Sequence, residues 1–520
     1  MPRALPSTST VAPSAMTAIL MRACMTKLGG GKGVECSTGQ ARRHAPVLDI
    51  LSPFSTFSGQ TMANDANAQT TTVIGWHHDP DAAFAQARAS GKPLFLYWGA
   101  GWCPPCNRLK AAVLAEPAFA ALAPSFVPLH IDGDAAGAQR AADRLHLRSY
   151  PSLVLYRPDG AEITRLPCEL AGPRFLEMLQ LALTAPFTAA QSLRDALSGQ
   201  RALSADEWRL LAFYSWDTDE GQLLAGRDLA ATLAGLRDAC TEPEPALRLA
   251  WHALHAATSA NGHEGLAMLL RTLADAQAVL AHVDLVTNYA VDMVRALTAP
   301  QSEQRMALTS AWSDALQRLE SSEALDPADQ LAALRVRVRM ARLGSPVAGL
   351  NALLRERVAS VLAGAQEPAL RHHVINTAAG AFSDAGLLDD ADAVLRAALP
   401  GSHAPFYFMH NLAAVAKKRG DISAMLDWYQ QALEQASGPA TRLQWGATFL
   451  LALIDATPAD AERIGRLAAA LLSEVDGMTD ANYRRNGTQL ARMLNKLSAL
   501  NGSGEQVEKL KQALLIRVNE

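Results

Sequence analysis

Residues 99–110 read GAGWCPPCNRLK and place two cysteines, two prolines and a tryptophan in five consecutive positions, Trp102 to Cys106. A Cys-x-x-Cys pair has three readings: a redox dithiol, half of a zinc site, or a short structural bridge. A tetrahedral zinc site needs two further ligands at short spacing. Cys168 and Cys240 stand alone, no second Cys-x-x-Cys exists, and His130 sits in a strand without a neighbouring ligand. His77-His78, just before the first helix, reads as a solvated surface pair. A structural disulfide closing so small a loop has little entropic value.

The residues on either side favour the redox reading. LFLYWG (94–99) is a continuous apolar run of strand length, and a helical stretch continues to Glu116-Pro117. Cys103 therefore stands at a helix N-terminus, where the macrodipole and unpaired N–H groups favour a thiolate. Pro104 and Pro105 suit a first helical turn, whose N–H groups have no intrahelical partner. They also remove two donors, so a strongly depressed pKa is not expected. Cys106 lies one turn inward, placed to close the ring with Cys103.

The whole chain bounds the setting. At 520 residues it is too long for one core, and about two to four domains are expected. A net charge of −4 gives no reason to expect nucleic-acid binding. The Ala/Leu-rich composition, few aromatics and mean hydropathy of +0.02 indicate a soluble, mostly helical protein. The most apolar N-terminal stretch, Thr17 to Met21, is stopped by Arg22, so no membrane span is expected. The cysteines are Cys24, Cys36, Cys103, Cys106, Cys168 and Cys240, too sparse for a disulfide-stapled scaffold.

Residues 1–70 are rich in Ser, Thr, Pro, Ala and Gly and read as a disordered extension. GGGKG (29–33) fails as a phosphate loop, because no strand leads in and Gly33 follows Lys32. Met62 is an alternative start. Arg42-Arg43, the apolar Val47 to Phe57 and Ala66-Asn67-Ala68 are ordered like an export signal, although Asp49 and Pro53 interrupt the apolar part. The expected location is cytoplasmic, with the periplasm as the alternative if this segment exports the chain.

From Asp79 the pattern becomes regular: a helix to Ser90 ending at Gly91, the strand 94–99, the dithiol helix, a helical segment Ala118 to Leu122, and the strand FVPLHID (126–132). A helix (135–145), a strand (152–156), a Pro-Asp-Gly turn, a strand (162–166) and a helix (173–184) follow. This is an α/β domain over 72–185 whose apolar strands need cover on both faces. Beyond Pro186 strands vanish, and 190–517 is an all-α region of about sixteen helices. Ser204 with Glu207 fits a capping box. AGLLDDADAVLRAAL (385–399) aligns with RGDISAMLDWYQQAL (419–433) at an offset of 34, Gly386 meeting Gly420 and Ala398 meeting Ala432. With Ala391 and Tyr429, these residues resemble the tetratricopeptide family, and the region reads as a degenerate solenoid of helix pairs; a generic helical bundle is the plainer alternative.

The apolar strand, Trp-Cys-x-x-Cys, the returning strand and a proline before a later strand together resemble the thioredoxin family over 72–185. The break at Glu116-Pro117 matches the branch that splits its first helix. The resemblance implies that Cys103 is the nucleophile, Cys106 the resolving thiol, and Pro151 a cis-proline. Trp102 and the Tyr150 backbone would then face a substrate strand. It also implies that the redox-active Cys103–Cys106 disulfide is the only cofactor, with no metal. Two positions depart from the family. Tyr97 stands where reductase members bury an Asp, and Pro128 where they place a Lys, so that proton-handling pair cannot be carried over, and water or Tyr97 itself is left as the modulator of the second thiol. Pro128 also implies an edge or locally bulged strand, and an N-terminal strand shortened to Thr71–Trp76. Cys168 would follow the last strand near the substrate groove, either as an inert apolar thiol or as a reversible partner for Cys103.

The function expected is a protein thiol-disulfide oxidoreductase, with the helices binding clients or partners, similar to thioredoxin–tetratricopeptide co-chaperones. Its partners would be disulfide-bearing proteins and an electron donor or acceptor protein. The alternative is a non-catalytic scaffold or holdase that uses both regions only for binding.

Overall fold

The computed structural model describes residues 74–257, 262–344, 346–500 and 504–519. The readings of the first 70 residues, including GGGKG, Met62, Cys24, Cys36 and the export signal, lie outside them.

Helix α1 (Pro80–Ser90) starts where Asp79 Oδ1 accepts the N–H groups of Asp81 and Ala82, and stops at Gly91 with φ 67°. Strand β1 (Leu94–Gly99) leads to α2 (Pro104–Leu109), which runs into a π-helical turn, Lys110–Leu114. Helix α3 (Pro117–Leu122) restarts the chain direction after Glu116, and β2 (Val127–Asp132) follows. Helix α4 (Ala138–Arg144) begins three residues later than the apolar spacing suggests, because Gly137 turns left-handed (φ 73°) just before it. Strands β3 (Ser152–Tyr156) and β4 (Glu162–Leu166) and helix α5 (Gly172–Leu183) complete a thioredoxin-like domain. The sheet order is β2-β1-β3-β4, with β1 parallel to β2 and antiparallel to β3, and β3 antiparallel to β4.

Pro128 lies in the edge strand β2. Its carbonyl points outward and accepts from His77 N, while His130 N donates to His77 O. Because N–H and C=O of one strand residue share a side, the donor that proline lacks would also have pointed outward. The N-terminal strand expected at Thr71–Trp76 is a single parallel bridge, His77 to Leu129, among the described residues. Alternation along β1 divides the domain's core. Phe95 and Tyr97 face the layer holding Cys106, Leu153, Leu155 and Phe175, whereas Leu94, Leu96 and Trp98 face Ala83, Leu129, Ala138 and Ala142.

The rest of the chain is largely helical. Nineteen helices lie between Ala189 and Asn519 among the described residues. Two of the helices beyond the expected sixteen or so arise where the segment 276–297 breaks at His282 and Tyr289 into three short helices, Ala276–Ala281, Val283–Asn288 and Ala290–Leu297. Ser204 and Glu207 make both halves of the capping box. Gly386 (φ 80°) and Gly420 (φ 78°) end helices Pro368–Ala385 and Pro405–Arg419 in the left-handed conformation, which glycine adopts without a Cβ penalty. Each hands over to a second helix, Leu388–Ala398 or Ile422–Gln435, so the offset of 34 appears as two successive helix pairs.

The described residues from 74 to 519 belong to one compact unit. The apolar core on the Cys106 face of the sheet continues from Phe95 and Phe175 through Leu193, Trp208, Leu211 and Phe213 to Leu249, with no gap between the α/β domain and the helices after Pro186.

Candidate functional site

Cys103 is the N-cap of α2, with Pro104 and Pro105 as its first residues. Its sulfur accepts the Cys106 N–H at 3.3 Å, a donor that survives the two prolines. Both cysteines are free thiols and both are buried, Cys103 at 3% and Cys106 at 0% exposure. Burial pushes the Cys103 thiol well above its ordinary value, and the neighbouring Cys106 thiol adds to the shift. Burial also opposes ionisation of Cys106, but the Cys103 thiol, a backbone hydrogen bond at Ala100, Tyr97 and Lys110 together hold it below the usual thiol value. The thiolate preference expected at Cys103 from the helix N-terminus is thus outweighed by desolvation.

Tyr97 reaches from β1 toward Cys106. Burial raises its phenol far above the ordinary value. Its hydroxyl is close enough to influence Cys106 yet has no partner at full hydrogen-bonding geometry. The ring lies against Gly99, where a Cβ would sit 2.6 Å from Tyr97 Oη. On the same face as the dithiol, the Tyr150–Pro151 peptide is cis. Tyr150 Oη fills the space over Gly133 and accepts from Gln139 Nε2 at 3.2 Å. Trp102 and Tyr150 meet edge to face at 5.9 Å. Cys168 packs against the same apolar cluster, and its thiol is raised by burial and by Glu169. Cys240, at the end of helix Leu229–Ala239, packs on the helical part of that cluster, its sulfur meeting Glu242 O at 3.5 Å.

Residues from the far half of the chain surround this turn. Trp102 Nε1 donates to Thr441 Oγ1 at 2.6 Å, and its ring stacks on Tyr407 and meets Trp445 edge to face. His372 Nε2 donates to the Trp102 carbonyl and His403 Nε2 to the Gly101 carbonyl, both at 3.0 Å. Arg108, two residues beyond Cys106, forms a two-pronged pair with Asp329, at 2.7 and 2.5 Å. The Arg485 guanidinium covers the Tyr150 ring at 4.4 Å.

None of these helical-region residues is singled out by local sequence pattern. One signal was available: His373, Tyr407 and Thr441 are spaced by 34, and all three lie at the redox turn, His373 beside the Pro104 carbonyl. Among the described residues, no three His, Cys, Asp or Glu side chains gather to hold a metal ion, and no helix is long and apolar enough to cross a membrane.

A four-stranded sheet with a dithiol at a helix N-terminus opposite a cis-proline defines a thioredoxin-like domain. Residues 75–158 match the thioredoxin-like family. The Thiol:disulfide interchange protein DsbD 1 of Pseudomonas aeruginosa is 35% identical over 108 residues, which are 20% of this chain and 18% of that protein. The chain therefore spans less than a fifth of that relative's length. A solved structure titled DsbH Oxidoreductase shares 16% identity, covering 25% of this chain and 96% of that one; its TM-score of 0.21 is too low to bear on function.

Proposed function

We propose that this chain is a protein thiol-disulfide oxidoreductase whose reacting pair is Cys103 and Cys106. In the reducing direction the Cys103 thiolate attacks one sulfur of a substrate disulfide. That S–S bond breaks, the departing sulfur takes a proton, and a mixed disulfide joins Cys103 to the substrate. Cys106 then attacks Cys103 Sγ, releasing the second substrate thiol and leaving the Cys103–Cys106 disulfide. Two electrons and two protons have passed to the substrate, and a donor protein must restore the dithiol. Run backwards, the same steps oxidise a substrate dithiol. The compartment's redox poise sets the direction, reducing if the protein is cytoplasmic and oxidising if it is periplasmic.

The observation that carries this reading is the pair of thiols at the start of α2, with Cys106 N–H 3.3 Å from Cys103 Sγ. Insulin reduction by the full-length chain, with dithiothreitol as donor, tests it. Turnover is expected, and Cys103→Ser should lower it by at least about 100-fold, since the attacking group is gone. No activity in the wild-type protein or in any variant that leaves Cys103 more accessible would refute the reading. Cys106→Ser should trap clients as stable mixed disulfides on Cys103.

A second reading, a scaffold that binds without turnover, is favoured by one observation: Cys103 is only 3% exposed. The insulin assay separates the two. In either case the helical region would bind partners, beginning with the redox domain itself.

A further inference from the structure

The face of the redox domain that would meet a client is already occupied. Trp102, the two carbonyls before Cys103, and Tyr150 are all engaged by helices Pro368–Ala385, Pro405–Arg419, Pro439–Ala456 and Arg484–Ser498 or the loops that lead into them. Two helix ends are also exchanged across this interface. Helix Pro439–Ala456 has no cap of its own, Gly438 being its N-cap residue. Asp134, from the loop after β2, supplies one, accepting Thr441 N at 2.7 Å and Thr441 Oγ1 at 2.5 Å. Helix α4 likewise lacks a cap of its own, and Asp480 from the helical region accepts Gln139 N at 2.9 Å. Gly438 is required for the first exchange, since a Cβ there would lie 2.4 Å from Asp134 Cγ.

We propose that the helices between 327 and 498 form a self-docked cover over the dithiol, so that the chain rests latent and must part at this interface before Cys103 meets a protein disulfide. The cover occupies the client side of Trp102 and Tyr150, so a client and the cover compete for one surface. Its polar contacts, among them the two exchanged caps, the Arg108–Asp329 and Arg484–Asp143 pairs, the two histidine–carbonyl bonds and the Trp102–Thr441 bond, are the kind that water can replace. Trp102 is the side chain that packs against both the redox core and the apolar cluster of residues 328–445.

The consequence for activity rests on the oxidoreductase reading, but the cover is testable without it. In reduced full-length protein, peptide-resolved mass spectrometry would follow labelling of Cys103 by iodoacetamide and by a maleimide carrying a long polyethylene glycol chain. The ratio of large-reagent to small-reagent rate reports access rather than thiol acidity. Thr441→Val keeps the shape and the backbone bond to Asp134 but removes the Oγ1 bonds to Trp102 and Asp134, and Asp329→Asn removes the charge paired with Arg108. Each should raise that ratio, by about tenfold for every 1.4 kcal/mol taken from the interface. Thr441→Val decides the question if Asp329→Asn fails to fold. Equal ratios in wild type and Thr441→Val, or a wild-type ratio equal to that of urea-unfolded chain, would overturn the cover. Insulin reduction runs in parallel. A raised ratio with no turnover in any protein would uphold the cover and refute the oxidoreductase. Full wild-type turnover unchanged by either variant, with unchanged ratios, would refute the cover and keep the oxidoreductase.

Discussion

The redox domain touches the helical region on two sides, and the two contacts are built differently. At the rear, on the sheet face that also carries Cys106, Phe175, Leu193, Trp208, Leu211, Phe213 and Leu249 belong to one apolar cluster with Phe95 and Leu155. On the other face of the sheet, beside Val154, the fully buried Arg165 of β4 bonds Glu162, the carbonyls of Leu145 and His146, and the Thr218 carbonyl of the helical region. In front, over the dithiol, the contact consists of hydrogen bonds, an ion pair and ring faces, with Trp102 as its apolar anchor. The rear resembles a domain core, in which separation would expose a large apolar surface. The front resembles a transient interface, whose polar groups find water when it parts.

The largest effect should come from the rear. Phe213 is fully buried, with the Arg248 guanidinium 4.0 Å above its ring. Phe213→Ala should cost about 3–5 kcal/mol and lower the urea midpoint of the α/β and helical regions together. Loss confined to the helices would break the comparison.

Acid should act on the front. Burial holds His372 and His373 down at about 4, against an ordinary 6.5. His372 faces His403, His373 and the Trp102 carbonyl; His373 faces Arg108, Asp329, Arg335 and the Pro104 carbonyl. Between these values the parted state binds more protons than the docked one. The docked state is therefore at full strength above 6.5 and weakens as pH falls toward 4. Hydrogen exchange of helix Pro405–Arg419, corrected for intrinsic rates, should accelerate from pH 7 to 5, while strand β3 should not change. Equal protection at both pH values would remove the histidines from the interface energetics.

The smallest effect is expected at Gly438, with φ 87° and Asp134 against its Cα. Gly438→Ala should cost about 1–2 kcal/mol through strain and a displaced cap. It should speed labelling of Cys103 while leaving the urea midpoint of the rear almost unmoved. A shift of that midpoint as large as that of Phe213→Ala would make front and rear one cooperative structure.

Much of the redox domain was legible because its signals are local. The run LFLYWG is long enough only for a strand, and it meets Cys103 across a short turn. Pro128 announces an edge, Ser204 with Glu207 a helix start, and Gly386 and Gly420 two helix ends, each through the chemistry of its own backbone. The N-terminal strand was misplaced because a single bridge at His77 leaves no alternation to read. The environment of Tyr97 was equally hidden, because its neighbour Cys106 lies on another element.

By itself, then, the sequence determined that a dithiol stands at a helix N-terminus on an α/β sheet, and that paired helices follow. Those properties depend on residues a few positions apart. Only the tertiary structure decided whether Trp102-Cys103 faces water. That outcome depends on Asp134 meeting Thr441, Gln139 meeting Asp480, and Arg108 meeting Asp329, pairs separated by 307, 341 and 221 residues. A carboxylate that caps its own helix shows itself by spacing. One that caps a helix hundreds of residues away leaves only an uncapped start at Gly438, and its partner is chosen by folding.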